Sequence, residues 1–241
     1  MLQITNIKIN EINIEDSKEL NEIMSYMIKN GIKKPKDLLS NVVTHRVDFS
    51  LKNTFSSFAN AIRRVLTGEI PTYSLNMSEK DIETDDDFLI SDVIIGNINL
   101  TIINQELNKY PEHLSLYVYN PTNSIMSVTT AHFQIGSKPS KDVRVKQASN
   151  IITHNNIELF SLRPNTYVSL SNIFIQKGIA DNDAKSFTLL SNVSYQPTDV
   201  EPYNQFTKKG NRSIDSNPTA FDISFTTAGN ISPKTVIQQV Y

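Results

Sequence analysis

Residues able to do chemistry are few in this chain and stand far apart. His45, His113, His132 and His154 are separated by 19 or more residues, with no HxH or HxxxH pair to aim two imidazoles at one metal. They read as ordinary strand or loop histidines. Cysteine is absent, which excludes disulfides, thiolate zinc, iron-sulfur clusters and a cysteine nucleophile. The acidic run Glu83 to Asp87 offers carboxylates, but a contiguous loop run does not converge on one octahedral magnesium site, so it reads as a solvated turn. No GxGxxG, GxxxxGK[ST] or GxSxG occurs, and seven glycines leave little material for a phosphate-cradling loop. Lys138, Lys141, Arg144 and Lys146 surround Pro139 without interleaved aromatics, a surface loop rather than a nucleic-acid groove. No catalytic residue, cofactor or metal is expected.

The composition agrees. Twenty-three basic against 25 acidic residues give a net charge of −2, so no global positive field exists to hold a phosphate backbone. A stand-alone DNA-binding transcription regulator is the alternative, and it lacks a basic recognition helix. Hydrophobic residues at 39% of 241 allow a folded protein of two parts. The first thirty residues carry Glu11, Glu15, Asp16, Glu19 and Glu22 without the apolar run of a signal peptide, and no stretch has the length of a membrane span. The expectation is an intracellular protein without membrane contact. The 26 asparagines read as compositional bias, and the five Asn-x-Ser/Thr sequons are what that bias produces by chance.

The elements follow from periodicity. Residues 1 to 12 alternate loosely as a strand, and Leu20, Ile23, Met24, Met27 and Ile28 repeat as a helix that Gly31 stops, before a short helical stretch at 37 to 40. Val43, His45, Val47, Phe49 and Leu51 alternate with polar residues, giving a half-buried strand over 43 to 52. Phe55, Phe58, Ala59, Ile62, Val65 and Leu66 make one apolar stripe on a helix from about 55 to 67, with Thr54 as N-cap, Gly68 as C′ and Pro71 beyond. Arg63 and Arg64 lie about 100° apart on it, so at least one leaves the stripe for solvent or a partner. Periodicity alone does not assign Phe88 to Ile103. Short alternating runs then follow: Leu114 to Val118, Val128 to His132, Val143 and Val145, Ile157 and Leu159, Val168 to Ile175, Leu190 to Tyr195. Phe221, Ile223 and Phe225 form a last strand face, and Ser232-Pro233 start a closing helix bearing Val236, Ile237 and Val240. The fold class is α+β.

One stretch points to a family. Phe55-Ser-Ser-Phe-Ala-Asn-Ala-Ile-Arg-Arg-Val-Leu-Thr-Gly-Glu-Ile-Pro-Thr72, after the Val47 to Leu51 strand, resembles the signature helix of the alpha-like assembly subunits of multisubunit RNA polymerases. That family holds the bacterial alpha subunit, the archaeal D subunit and the third-largest subunit of eukaryotic RNA polymerase II. Ser91 to Leu100, Leu162-Arg-Pro-Asn165, Gln176 to Lys185, and Phe221 to Phe225 followed by Gly229 to Pro233 are similar to its further blocks, in family order. Asn97, Ile102, Asn165 and Asp183 depart from its arginine, proline, glycine and histidine. The chain looks most like the large-DNA-virus versions.

The resemblance implies a discontinuous dimerisation domain, residues 1–75 (with an N-terminal extension, 1–42) and 186–241, and an inserted strand-rich domain, 76–185. It implies a non-catalytic part of a DNA-directed RNA polymerase that heterodimerises with a smaller alpha-like subunit and seats the two largest subunits, beside small assembly subunits. No direct specific DNA contact is implied. The implied interface is Phe55, Phe58, Ala59, Asn60, Ile62, Arg63, Arg64, Val65, Leu66, Val236, Ile237 and Val240, with Lys177, Gly178, Ala184 and Lys185 as a secondary partner loop. The implied place is the nucleus, or a virion or cytoplasmic viral factory for a viral enzyme.

Overall fold

The computed structural model describes residues 3–13, 43–140, 148–154, 156–198 and 218–240, together with Ser25 and Lys29, both helical. The helical stretch at 37–40, Lys141, Val143, Arg144, Val145 and Lys146 lie outside the described residues, as does most of the helix expected through Leu20 to Ile28. Among the described residues no helix is long and apolar enough to cross a membrane.

Strand β1 (Gln3–Asn13) pairs antiparallel with β2 (Val43–Lys52), so residues 3–13 form the edge strand of a sheet. The final strands complete this sheet, in the order β1-β2-β11-β10, with β10 spanning Leu190–Pro197 and β11 Ala220–Thr227. Alternation gives it two unlike faces. Val47, Phe49, Leu51, Phe221, Ile223 and Phe225 are buried on one, while Arg46, Asp48, Ser50, Asp222 and Ser224 fall on the other.

The apolar face is covered by α1 (Ser56–Arg64), a π-helical turn (Val65–Glu69) and, at the chain end, a helix over Pro233–Val240. Two expected helix ends are corrected. Phe55, not Thr54, is the N-cap, because the Phe55 carbonyl accepts the first helical N–H groups, those of Phe58 and Ala59, at 3.0 and 3.1 Å. Gly68 is not a C′ residue; the helix widens through it and stops at extended Ile70. The approach there is close: the exposed Asp181 carboxylate lies where a Cβ would stand, and the Asp181 N–H donates to the Gly68 carbonyl at 3.0 Å.

Between these segments run β3 (Thr72–Asn76), β4 (Ile82–Thr84), α2 (Ser91–Asn99), β5 (His113–Tyr119), β6 (Met126–Thr129), β7 (Phe133–Ile135), β8 (Glu158–Leu162), β9 (Tyr167–Gly178) and α3 (Ala184–Phe187), so the closing helix is α4. β9 is central, pairing with β3, β4 and β5. The unassigned stretch contains α2, which buries Ile94 and Ile98. Thr130 to His132 is a single 3-10 turn, closed by the Thr129 N–H donating to His132 Nδ1 at 3.0 Å, and Ile157 precedes β8 with its side chain exposed. The buried apolar residues form two clusters. One draws on 47–70 and 189–236, the other on 75–173.

In the acidic run Glu83, Asp85 and Asp87 are exposed, and Asp86 alone departs from a solvated turn. Asp86 is buried, accepts from the Arg163 N–H and Nε at 3.0 and 2.7 Å, and receives the Phe88 N–H at 3.1 Å. Asp85 accepts from the Tyr167 N–H and Glu83 from the Tyr167 hydroxyl. Asp86 clamps the Leu162 to Asn165 turn onto the loop that leads to α2.

Candidate pairing surface

The stripe on α1 divides in two. Ala59, Ile62 and Leu66 turn inward onto the sheet, whereas Phe55 and Phe58 are 63% and 36% exposed and pack edge to face, ring centres 6.3 Å apart. Two neighbouring aromatic rings in water are costly for a lone chain, at roughly 25 cal/mol per Å2 of apolar surface. Beside them opens an apolar cleft of about 170 Å3, lined by Ile4, Phe49, Phe58, Ile62, Leu66, Phe225, Ile237 and Val240. β1 extends the apolar surface with Ile7 and Ile9, each about half exposed.

Each wall has a local cause. Pro233 opens α4, and the Ser232 hydroxyl accepts the Thr235 N–H at 3.2 Å, as the sequence leads one to expect of an N-cap. Val236 is fully buried, which seats the helix and leaves Ile237 and Val240 half-exposed at the cleft. β1 bulges between Thr5 and Lys8, where Asn6 takes φ 55°.

The expected interface residues thus play two parts. Phe55, Phe58, Ile237 and Val240 present surface, and Val65 and Asn60 are half-buried at its margin. Ala59, Ile62, Leu66 and Val236 are buried within this chain, where they support the face from beneath. Arg63 Nε donates to Asn60 Oδ1 at 3.1 Å, and Arg64 stands exposed. The sequence reading missed Ile4, Phe49 and Phe225 as cleft walls; the alternation of each strand marked them as core, but not as neighbours of α4.

The secondary loop is brought to the same end of α1 by the Asp181–Gly68 contact. Lys177 is exposed, its ammonium 5.6 Å from the centre of the Tyr73 ring, and Gly178 pairs with Thr72. Ala184 and Lys185 are exposed on α3, which Asp183 caps by accepting the Lys185 and Ser186 N–H groups at 3.1 and 3.4 Å. The Ser186 hydrogen bonds and then the Lys185 N–H and charge hold the Asp183 carboxyl below its ordinary range, despite some desolvation. Other departures also have local work. Asn165 sits at φ 57°, where glycine or asparagine is needed, and Asn97 Nδ2 donates to the Leu159 carbonyl at 2.6 Å.

No group of His, Asp and Glu suited to a metal ion occurs among the described residues. What the geometry offers is an apolar face on an α+β module, suited to pairing with another chain. A family model described as the RNA polymerase Rpb3/Rpb11 dimerisation domain matches residues 48–240. The chain belongs to that family, as an alpha-like RNA polymerase subunit with a role in polymerase assembly by dimerisation. No curated protein matches the chain.

Proposed function

We propose that this chain is the larger member of an alpha-like heterodimer in a DNA-directed RNA polymerase, and that it seats the two largest subunits without contributing to catalysis. The apolar face of Phe55, Phe58, Ile237, Val240 and the cleft between them carries this reading, because a helix from a smaller alpha-like subunit supplies the apolar surface that face lacks. The two apolar clusters support a discontinuous dimerisation domain, 1–75 with 186–241, around an inserted domain, 76–185. Arg63, Arg64 and the Lys177 to Lys185 loop, at the far end of α1, are assigned to the next subunits to join. The proposed role goes with a place inside the cell, in the nucleus, or in a virion or cytoplasmic factory for a viral enzyme.

Phe58→Asp tests the pairing. A carboxylate in the seam has no partner on this face, and burying it costs several kcal/mol, so the smaller subunit is lost on co-purification while the chain stays folded by circular dichroism. Recovery of the intact heterodimer with this variant overturns the assignment.

A further inference from the structure

α4 is an eight-residue helix, well short of the roughly 12 to 15 residues at which an isolated helix becomes marginal in water. Its place depends on what holds it: Val236 seats it on the sheet cluster, and further holding groups come from outside the dimerisation sheet. Glu106, on the loop that follows α2, accepts from the Ser232 N–H at 2.9 Å and from the Thr235 hydroxyl at 2.8 Å, both through Oε1. A carboxylate there takes the N–H of the N-cap residue and stands at the positive end of the helix. The next residue back ties the same loop down twice more. Gln105 N–H donates to the Asn230 carbonyl at 2.9 Å, and its side-chain amide exchanges two hydrogen bonds with the Tyr73 backbone, at 2.8 and 2.9 Å. Tyr110 lies against Tyr73, ring centres 4.3 Å apart, and its hydroxyl donates to the Asn104 carbonyl. One loop therefore grips both β3, where the chain leaves the dimerisation helix, and the turn where it enters α4.

We propose that Glu106 is a positioning residue for the pairing surface: through Ser232 and Thr235 it sets α4, and with it Ile237 and Val240 at the apolar cleft. Partner affinity is then governed partly by a residue that touches no partner. This rests on the reading of that face as the site of the smaller subunit, and the test separates the two.

The test compares Glu106→Ala and Glu106→Gln in the full chain by amide hydrogen exchange, and in the polymerase complex by retention of the smaller subunit. Glu106→Ala is expected to speed exchange at residues 236–240 by about tenfold or more, the scale of losing hydrogen bonds to a charged acceptor, while residues 47–51 keep their protection. Glu106→Gln keeps an oxygen acceptor and recovers most of that protection. Retention of the smaller subunit follows the same order. Unchanged exchange at 236–240 in Glu106→Ala overturns the proposal outright. Faster exchange with full retention overturns the link to pairing, whereas Phe58→Asp decides the pairing face independently. Loss of protection across both segments in Glu106→Ala shows a general structural role and also overturns it, unless Glu106→Gln restores 236–240 and retention together.

Discussion

The ring of Phe187 lies over Gly178 so closely that a methyl group on the glycine would stand 2.5 Å from its Cζ. Phe187 is buried, and its carbonyl accepts the Thr72 hydroxyl at 3.0 Å, so the ring has little room to yield. Gly178→Ala is therefore expected to destabilise the chain by about 1 to 3 kcal/mol, the cost of overpacking. Denaturant unfolding measures it. Phe187→Leu added to Gly178→Ala should cost less than the two changes summed, since the pair shares one space. By contrast Gly68→Ala meets only the end of the exposed Asp181 side chain, which can swing away, and should cost far less.

Exposure of Phe55 and Phe58 carries a solubility prediction. Without its partner the chain should self-associate, because the rings and the cleft form one apolar patch. Changing both to serine should return a monomer on size-exclusion chromatography, with the unfolding midpoint lowered only by the part of Phe58 that the chain itself buries. A wild-type chain that is monomeric at high concentration would count against the patch as a sticky surface.

Arg163 and Asp86 set an acid limit. Burial pushes the Asp86 carboxyl up, but the Arg163 and Phe88 N–H groups and the Arg163 guanidinium together hold it below the ordinary carboxylate range. A carboxyl lowered in the folded state adds stability above its unfolded value, about 3.9, and that stability fades as pH falls through the folded value. Asp86→Asn should lower stability at neutral pH and flatten its dependence below about pH 4. Equal acid dependence in variant and wild type would remove Asp86 from the acid response.

How far the sequence reaches is visible element by element. The 3.6-residue stripe of α1 and the alternation of β11 are local signals, and both elements form where they occur. The fate of Asp86 within the acidic run was hidden, because its pairing with Arg163 joins residues 77 positions apart. Gly68 looked like a stop for the same reason: Asp181, which lies against it, arrives far later in the chain. Asparagine abundance masked a structural use. Asn6, Asn172 and Asn192 take positive φ at the three bulges of β1, β9 and β10, and Asn53 and Asn165 do so in turns. The exposed half of the α1 stripe was legible as apolar but not as unpaired, since periodicity does not say which half the chain covers itself.

The proposed seating of the largest subunits assigns Arg63 and Arg64 to a second step of assembly. Arg64 is exposed and Arg63 is held by Asn60 on the same helix face, which preorders a guanidinium for bidentate contact with carboxylates or carbonyls of an incoming subunit. Changing both to alanine should keep the smaller subunit and lose the second-largest one, at about 2 to 5 kcal/mol for each desolvated contact removed. Full enzyme recovered at wild-type yield would make both arginines solvent-edge residues.

Deleting residues 233–241 separates folding from pairing. Val236 is fully buried against the sheet cluster, and its loss should cost roughly 1.5 to 3 kcal/mol there. The other cluster, built from 75–173, takes no residue from α4, so its protection against hydrogen exchange should persist. The heterodimer loses more, because Ile237 and Val240 leave the cleft wall and Phe58 loses the surface opposite it. The expected result is a folded chain that retains the smaller subunit poorly on co-purification. A truncated chain that pairs as well as wild type would place the partner wholly on α1 and β1, with α4 serving only this chain's own core.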